Sequence, residues 1–300
     1  MIDTNALWII LTGAIIAINC SILGSFLMLR KMAMLADAIS HAVLPGIVIA
    51  FFITGDRSNI PMLIGAAMFG LFTVFVIEFL SKKIKLQNDA AIGVTFTFLF
   101  ALGIILISLY AGQVDLDQDC VLYGEIAYVP LDLIILDNGW QLGPKTLVTA
   151  FVLLLIILLG LRYAYKGFYI TTFNPDYAIS LGISAGIWQY VLMGAVSVNT
   201  VVSFEAVGAI LVVAFIIVPP ATAYLLTHSF KKMIAIACLI GVVSSAIGYY
   251  LASWLNSSIS ASMAVVAGFF FLLALLFGPK GYFTKKKNKE LETPYTETAD

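Results

Sequence analysis

The chain has 300 residues, of which 61% are hydrophobic and only 11% charged, and its mean hydropathy is +1.03. Soluble domains carry roughly 25% charged residues, so most of this surface faces something other than water. A net charge of −1 leaves no basic footprint for nucleic acid. Three cysteines, Cys20, Cys120 and Cys238, form no CxxC and suggest neither a disulfide framework nor a thiolate metal site.

A helix needs about 20 mostly apolar residues to cross a bilayer core of about 30 Å. In chain order the predicted spans lie near 6–29, 32–54, 61–80, 90–110, 145–165, 186–204, 206–226, 233–254 and 258–277. The fold class is therefore all-α, a polytopic membrane protein with eight to nine transmembrane helices. The pair around 186–226 leaves the number open. Its only interruption is Ser203-Phe204-Glu205, so one member is expected as a full span or as a short re-entrant half-helix. Residues 1–280 form the membrane domain. Residues 281–300 form a polar cytoplasmic tail whose composition predicts disorder.

Lys and Arg in short loops mark the cytoplasmic side. Arg30 and Lys31 follow the first span, and Lys82, Lys83 and Lys85 the third. Arg162 and Lys166 close the fifth, Lys231 and Lys232 follow the seventh, and Lys280 with Lys285, Lys286 and Lys287 follows the ninth. The alternate junctions are poor in positive charge. Nine spans with the N-terminus outside and the C-terminus cytoplasmic fit this alternation throughout.

Ionisable residues at membrane depth are costly and point to function. Glu78 stands one turn from Lys82 and is expected as a paired, snorkelling residue at the inner interface. His228 falls at the inner end of a span and is expected at that interface too. Asp37 and His41 differ. Four residues apart, they share one helix face. Counted from Lys31 they lie about 9 Å and about 15 Å deep, the latter near mid-bilayer. Carboxylate oxygen and imidazole nitrogen together ligate zinc, manganese or iron, while the same pair could also simply hydrogen-bond between helices. Two ligands fall short of the four to six that such metals take, so a full site needs a second subunit, backbone or water. Pro45 follows within a turn and frees a backbone carbonyl beside the pair.

The run LGSFLMLRKMAMLADAISHAVLPGI resembles the opening of metal permeases of the ABC-3 family, the membrane subunits of ABC importers for manganese, zinc and iron. DLDQDCVLYGEIAYVPLD, FNPDYAISLGIS and FEAVGAILVVAFIIVPPATAYLLT agree with the family in the same order. The resemblance implies an ABC importer permease in the plasma membrane of a prokaryote, with a second permease subunit (identical or paralogous), separate ABC ATPase subunits and an extracellular metal-binding protein as partners. It implies no permanently bound cofactor, only a transported divalent metal. The acidic run resembles the manganese and iron branch rather than the zinc branch, and manganese is the favoured metal, with zinc and iron as alternatives.

By the same resemblance, Asp37 and His41 meet their counterparts across a two-fold interface. Pro219, Pro220, Ala221 and Thr222 belong to the region coupled to the ATPase, and Asn174, Pro175 and Asp176 form a second cytoplasmic contact. Asp115, Asp117 and Asp119, with Glu205, are candidate outer contacts for the cation or its binding protein. Alanine at Ala36 departs from the glycine common before the family's aspartate, yet it stays small enough for close helix contact. No GxxxxGK[ST] motif occurs, so the chain brings no nucleotide site of its own. A stand-alone secondary metal transporter would share the spans and the buried pair, and ATPase dependence separates the two.

Overall fold

The computed structural model describes residues 4–54, 59–110, 126–135 and 141–279. The helices are α1 (Thr4–Leu29), α2 (Met34–Ala42), α3 (Leu44–Thr54), α4 (Asn59–Lys82), α5 (Asn88–Tyr110), α6 (Lys145–Phe173), α7 (Pro175–Ser180), α8 (Ala185–Val207), α9 (Ala209–Leu226), α10 (Phe230–Leu255) and α11 (Ile259–Phe277). Between α5 and α6 lie a 3-10 turn, Ile126–Leu131, and a small antiparallel hairpin of β1 (Leu133–Ile135) and β2 (Gln141–Pro144). Among the described residues, nine helical stretches are long and apolar enough to cross a membrane, α2 and α3 together forming one of them.

In lipid, helices satisfy their own backbone, and close packing replaces the hydrophobic drive between them. α1 is the central helix and packs on α6, α9 and α10, while α9, α10 and α11 pack on one another. Small residues permit this. A Cβ on Gly24 of α1 would run into the Ile216 carbonyl of α9, and one on Gly46 of α3 into the Gly65 carbonyl of α4. Polar side chains add specific ties, since the Asn19 Nδ2 of α1 donates to the Ala150 carbonyl of α6 at 3.0 Å. α6 instead turns most of its surface outward, with Phe151, Leu155, Ile156 and Leu159 exposed as lipid contact requires.

Two sequence expectations are corrected here. The interruption between the sixth and seventh spans does not fall at Ser203-Phe204-Glu205. α8 continues through these residues to Val207, and the break is Gly208, at φ +78°. Glycine takes that left-handed backbone without steric cost, whereas a buried serine is accommodated within a helix. α9 then runs 18 residues, about 27 Å at the helical rise, long enough for a full span rather than a half-helix. Glu78 is not a snorkelling residue either. It pairs with Lys82 as expected, but it is only 6% exposed, and Lys82 is the side chain that reaches outward.

The basic junctions converge on one end of the bundle. Arg30 donates to Thr171 and Thr172 at the end of α6. Phe230 at the start of α10 packs on Phe26, Tyr169 and Phe173. Lys231 lies over the Tyr165 ring, and Lys82 shares a cavity with Arg30 and Lys31.

Candidate metal centre

α2 positions the candidate ligands. Leu35, Ala36, Ala38, Ile39, Ser40 and Ala42 are buried against the chain's own core. Met34, Asp37, His41 and Leu44 form the remaining stripe at helical spacing; Met34 is exposed, the other three are half-buried, and Leu44 lies against Gly103 of α5. Ala36 therefore serves packing within the chain rather than that stripe. Asp37 sits in the first turn of α2, where the helix dipole favours a carboxylate.

Asp37 Oδ1 and His41 Nε2 are 3.5 Å apart, with the side chains 40% and 29% exposed. Two ligands on one tetrahedral ion with bonds of about 2.0–2.2 Å stand about 3.4 Å apart. The observed spacing suits a chelating pair and equally a direct Asp–His contact along the helix. Pro45 is a buried residue of α3 and cannot donate to the His41 carbonyl, so this oxygen is left without its helical partner beside the side-chain donors. Among the described residues no group of three or more His, Cys, Asp or Glu could hold a metal. The pair stands on a partly exposed face of α2 that α5 borders.

Sequence reasoning missed two residues that orient this pair. Phe96 and Phe100 of α5 stand with ring centroids 6.0 Å and 5.5 Å from that of His41, the second edge-to-face. Their spacing of four in FTFLF was a visible signal, but nothing local says which helix a phenylalanine pair will face.

The other candidates fall elsewhere. Asn174, Pro175 and Asp176 open α7, a short helix projecting from the basic end. The Asn174 Oδ1 accepts from the Tyr177 N–H at 3.0 Å, and Pro175 takes the first helical position, where a missing N–H costs nothing. Gly182, at φ +75°, reverses the chain after it. Phe173, Tyr177, Ile179 and Leu181 are all more than half exposed around this turn. Pro219, Pro220, Ala221 and Thr222 lie inside α9 instead, and Pro219, Pro220 and Thr222 are buried. Ala221 is half-buried. The turn at 227–229, which carries the exposed His228, is what reaches the surface there. The backbone puts Glu205 in the last turn of α8. Asp115, Asp117 and Asp119 lie outside the described residues, as does the tail.

Comparison with known proteins agrees with this architecture. Residues 3–278 match the ABC 3 transport family. The chain is 49% identical over 281 residues to the manganese transport system membrane protein MntD of Bacillus subtilis, covering 93% of this chain and 94% of that one. It is 41% identical to the zinc transport system membrane protein TroD of Treponema pallidum, covering 91% and 74%. Among solved structures, PsaBC from Streptococcus pneumoniae in complex with Fab superposes with a TM-score of 0.77 at 31% identity, covering 95% of this chain and 96% of that one. A nine-span bundle with a partly exposed Asp–His stripe, matched along almost its whole length, belongs to the ABC 3 transport family.

Proposed function

We propose that this chain is the membrane-spanning permease subunit of an ATP-driven importer of divalent transition metal, with manganese as the favoured cargo. The carrying observation is the Asp37–His41 pair, 3.5 Å apart on a partly exposed face of α2. A doubly charged cation cannot shed its water in lipid unless carboxylates replace it. Two permease subunits, joined through this stripe, supply two carboxylates and two imidazoles and neutralise the ion. The manganese relative at 49% identity supports that metal over the zinc of the 41% relative, since oxygen and nitrogen ligands alone serve either.

Energy enters from separate ATPase subunits. α7 is the better docking element, because it is exposed, apolar on its outer side and rigidly capped. Residues 219–222 act one step back, by shaping α9. An extracellular binding protein delivers the cation at the opposite end, where Glu205 and the acidic run at 115–119 would meet it. The N-terminus lies outside and the C-terminus in the cytoplasm.

The test is ATP-dependent uptake of manganese, zinc and iron by the complete reconstituted complex. Manganese uptake should exceed that of the other two and stop without ATP. Undiminished transport in an Asp37→Ala, His41→Ala variant at normal expression would remove the pair from the mechanism.

A further inference from the structure

At the basic end of the bundle a cavity of about 290 Å³ opens between the α1–α2 junction, the end of α4, and the starts of α5 and α8. It lies across α2 from the partly exposed stripe, since Leu35 lines it while Asp37 and His41 do not. The cavity therefore does not belong to the metal pair.

Its charges do not balance. Arg30, Lys31 and Lys82 line it against the single carboxylate of Glu78, and Glu78 pairs with Lys82. Arg30 and Lys31 have no carboxylate within ion-pair distance among the described residues. The half-buried Arg30 guanidinium is met only by neutral hydroxyls, its Nη2 and Nε donating to Thr171 and Thr172 at 2.9 and 3.0 Å. Burial pulls its pKa down, as expected for a cation lacking an anion. Lys31 also holds a left-handed backbone at φ +58°, where glycine would be unstrained. Ser81, Asn88 and Gln189 add neutral hydrogen-bonding groups, and Val74 and Ile92 make an apolar wall.

A surplus of two positive charges, neutral polar groups and apolar wall together match an amphiphile with an anionic head. Basic pockets between transmembrane helices on the cytoplasmic side take such headgroups. We propose that this cavity binds the phosphoryl headgroup of an anionic phospholipid from the cytoplasmic leaflet, with Arg30 and Lys31 on the phosphate. The leaflet rests on the orientation proposed above, but the binding does not depend on metal or ATPase.

The full chain in mild detergent, exposed to phosphatidylglycerol or phosphatidylcholine and examined by native mass spectrometry, provides the test. The wild type should retain phosphatidylglycerol at least about five-fold more than phosphatidylcholine. Lys31→Gly relieves the strained backbone while removing the charge, so the protein stays folded and loses about five-fold in phosphatidylglycerol retention, the effect of one cation near an anionic surface. Lys31→Arg should restore it. Equal retention of the two lipids, or a Lys31→Gly variant that holds phosphatidylglycerol like the wild type, would overturn the site. Displacement by millimolar inorganic phosphate would overturn the lipid as its source and assign the cavity to a free phosphoryl compound. Because no transport is measured, failure here leaves the importer reading untouched.

Discussion

A histidine ligand works only if its ring is aimed before the metal arrives, and for the proposed ligand His41 the aim comes from three neighbours. Asp37 fixes one side of His41, and Phe96 and Phe100 fix the other. An edge-to-face ring contact is worth about 0.5–1.5 kcal/mol. Phe100→Ala should therefore raise the apparent KM for manganese uptake by about 2- to 12-fold while expression and ATP hydrolysis stay normal. Replacing Asp37 and His41 together removes the ligands themselves. Uptake should then fall further than the roughly 10- to 100-fold typical of losing an outer-shell partner, as measured in proteoliposomes carrying the complete complex.

At the scale of elements, α7 illustrates how few residues make a rigid projection. An asparagine cap, a proline at the first position and a left-handed glycine hold six helical residues in place. Gly182→Ala should cost roughly 1–2 kcal/mol, because a Cβ is disfavoured at positive φ, and should loosen ATPase association as the helix frays. Tyr177→Glu probes the contact rather than the fold. Its side chain is 54% exposed, so stability should change by no more than about 0.5 kcal/mol. Co-purification of the ATPase subunit should nonetheless drop sharply. An unchanged yield of complex from Tyr177→Glu would move the docking surface elsewhere. α2 teaches the complementary lesson. Its inward residues are apolar apart from Ser40, and the stripe from Met34 to Leu44 marks its more exposed face.

For the whole molecule, the convergence of the basic junctions on one end of the bundle supports the proposed membrane orientation. Single cysteines test it in intact cells, in a background with the native thiols replaced. A cysteine at Ser257, in the turn between α10 and α11, should react with an impermeant reagent added outside. One at Leu181 should react only after the membrane is opened. The isolated chain in liposomes should move no manganese at all, since only the complete complex can hydrolyse ATP. Metal flux through the lone chain down a gradient would favour a secondary transporter.

Spans, charge alternation and the Asp37–His41 spacing were all legible along the chain, because each depends on hydropathy, on loop charge or on a four-residue helical repeat. Local patterns of that kind survive in any packing. What they could not disclose was which faces meet. The burial of Glu78 depends on α8 lying across it, the break at Gly208 on a serine being absorbed into a helix, and the concealment of Pro219 and Pro220 on α1 closing over α9. Phe96 and Phe100 reach His41 only because α5 packs on α2. Sequence alone determined that this is a polytopic membrane protein of eight or nine spans with an aspartate and a histidine one helical turn apart in its second span. The tertiary structure alone decided that these two side chains stay partly exposed beside α5 while other polar groups are sealed inside, because contacts between helices distant in the chain are set by shape and not by periodicity.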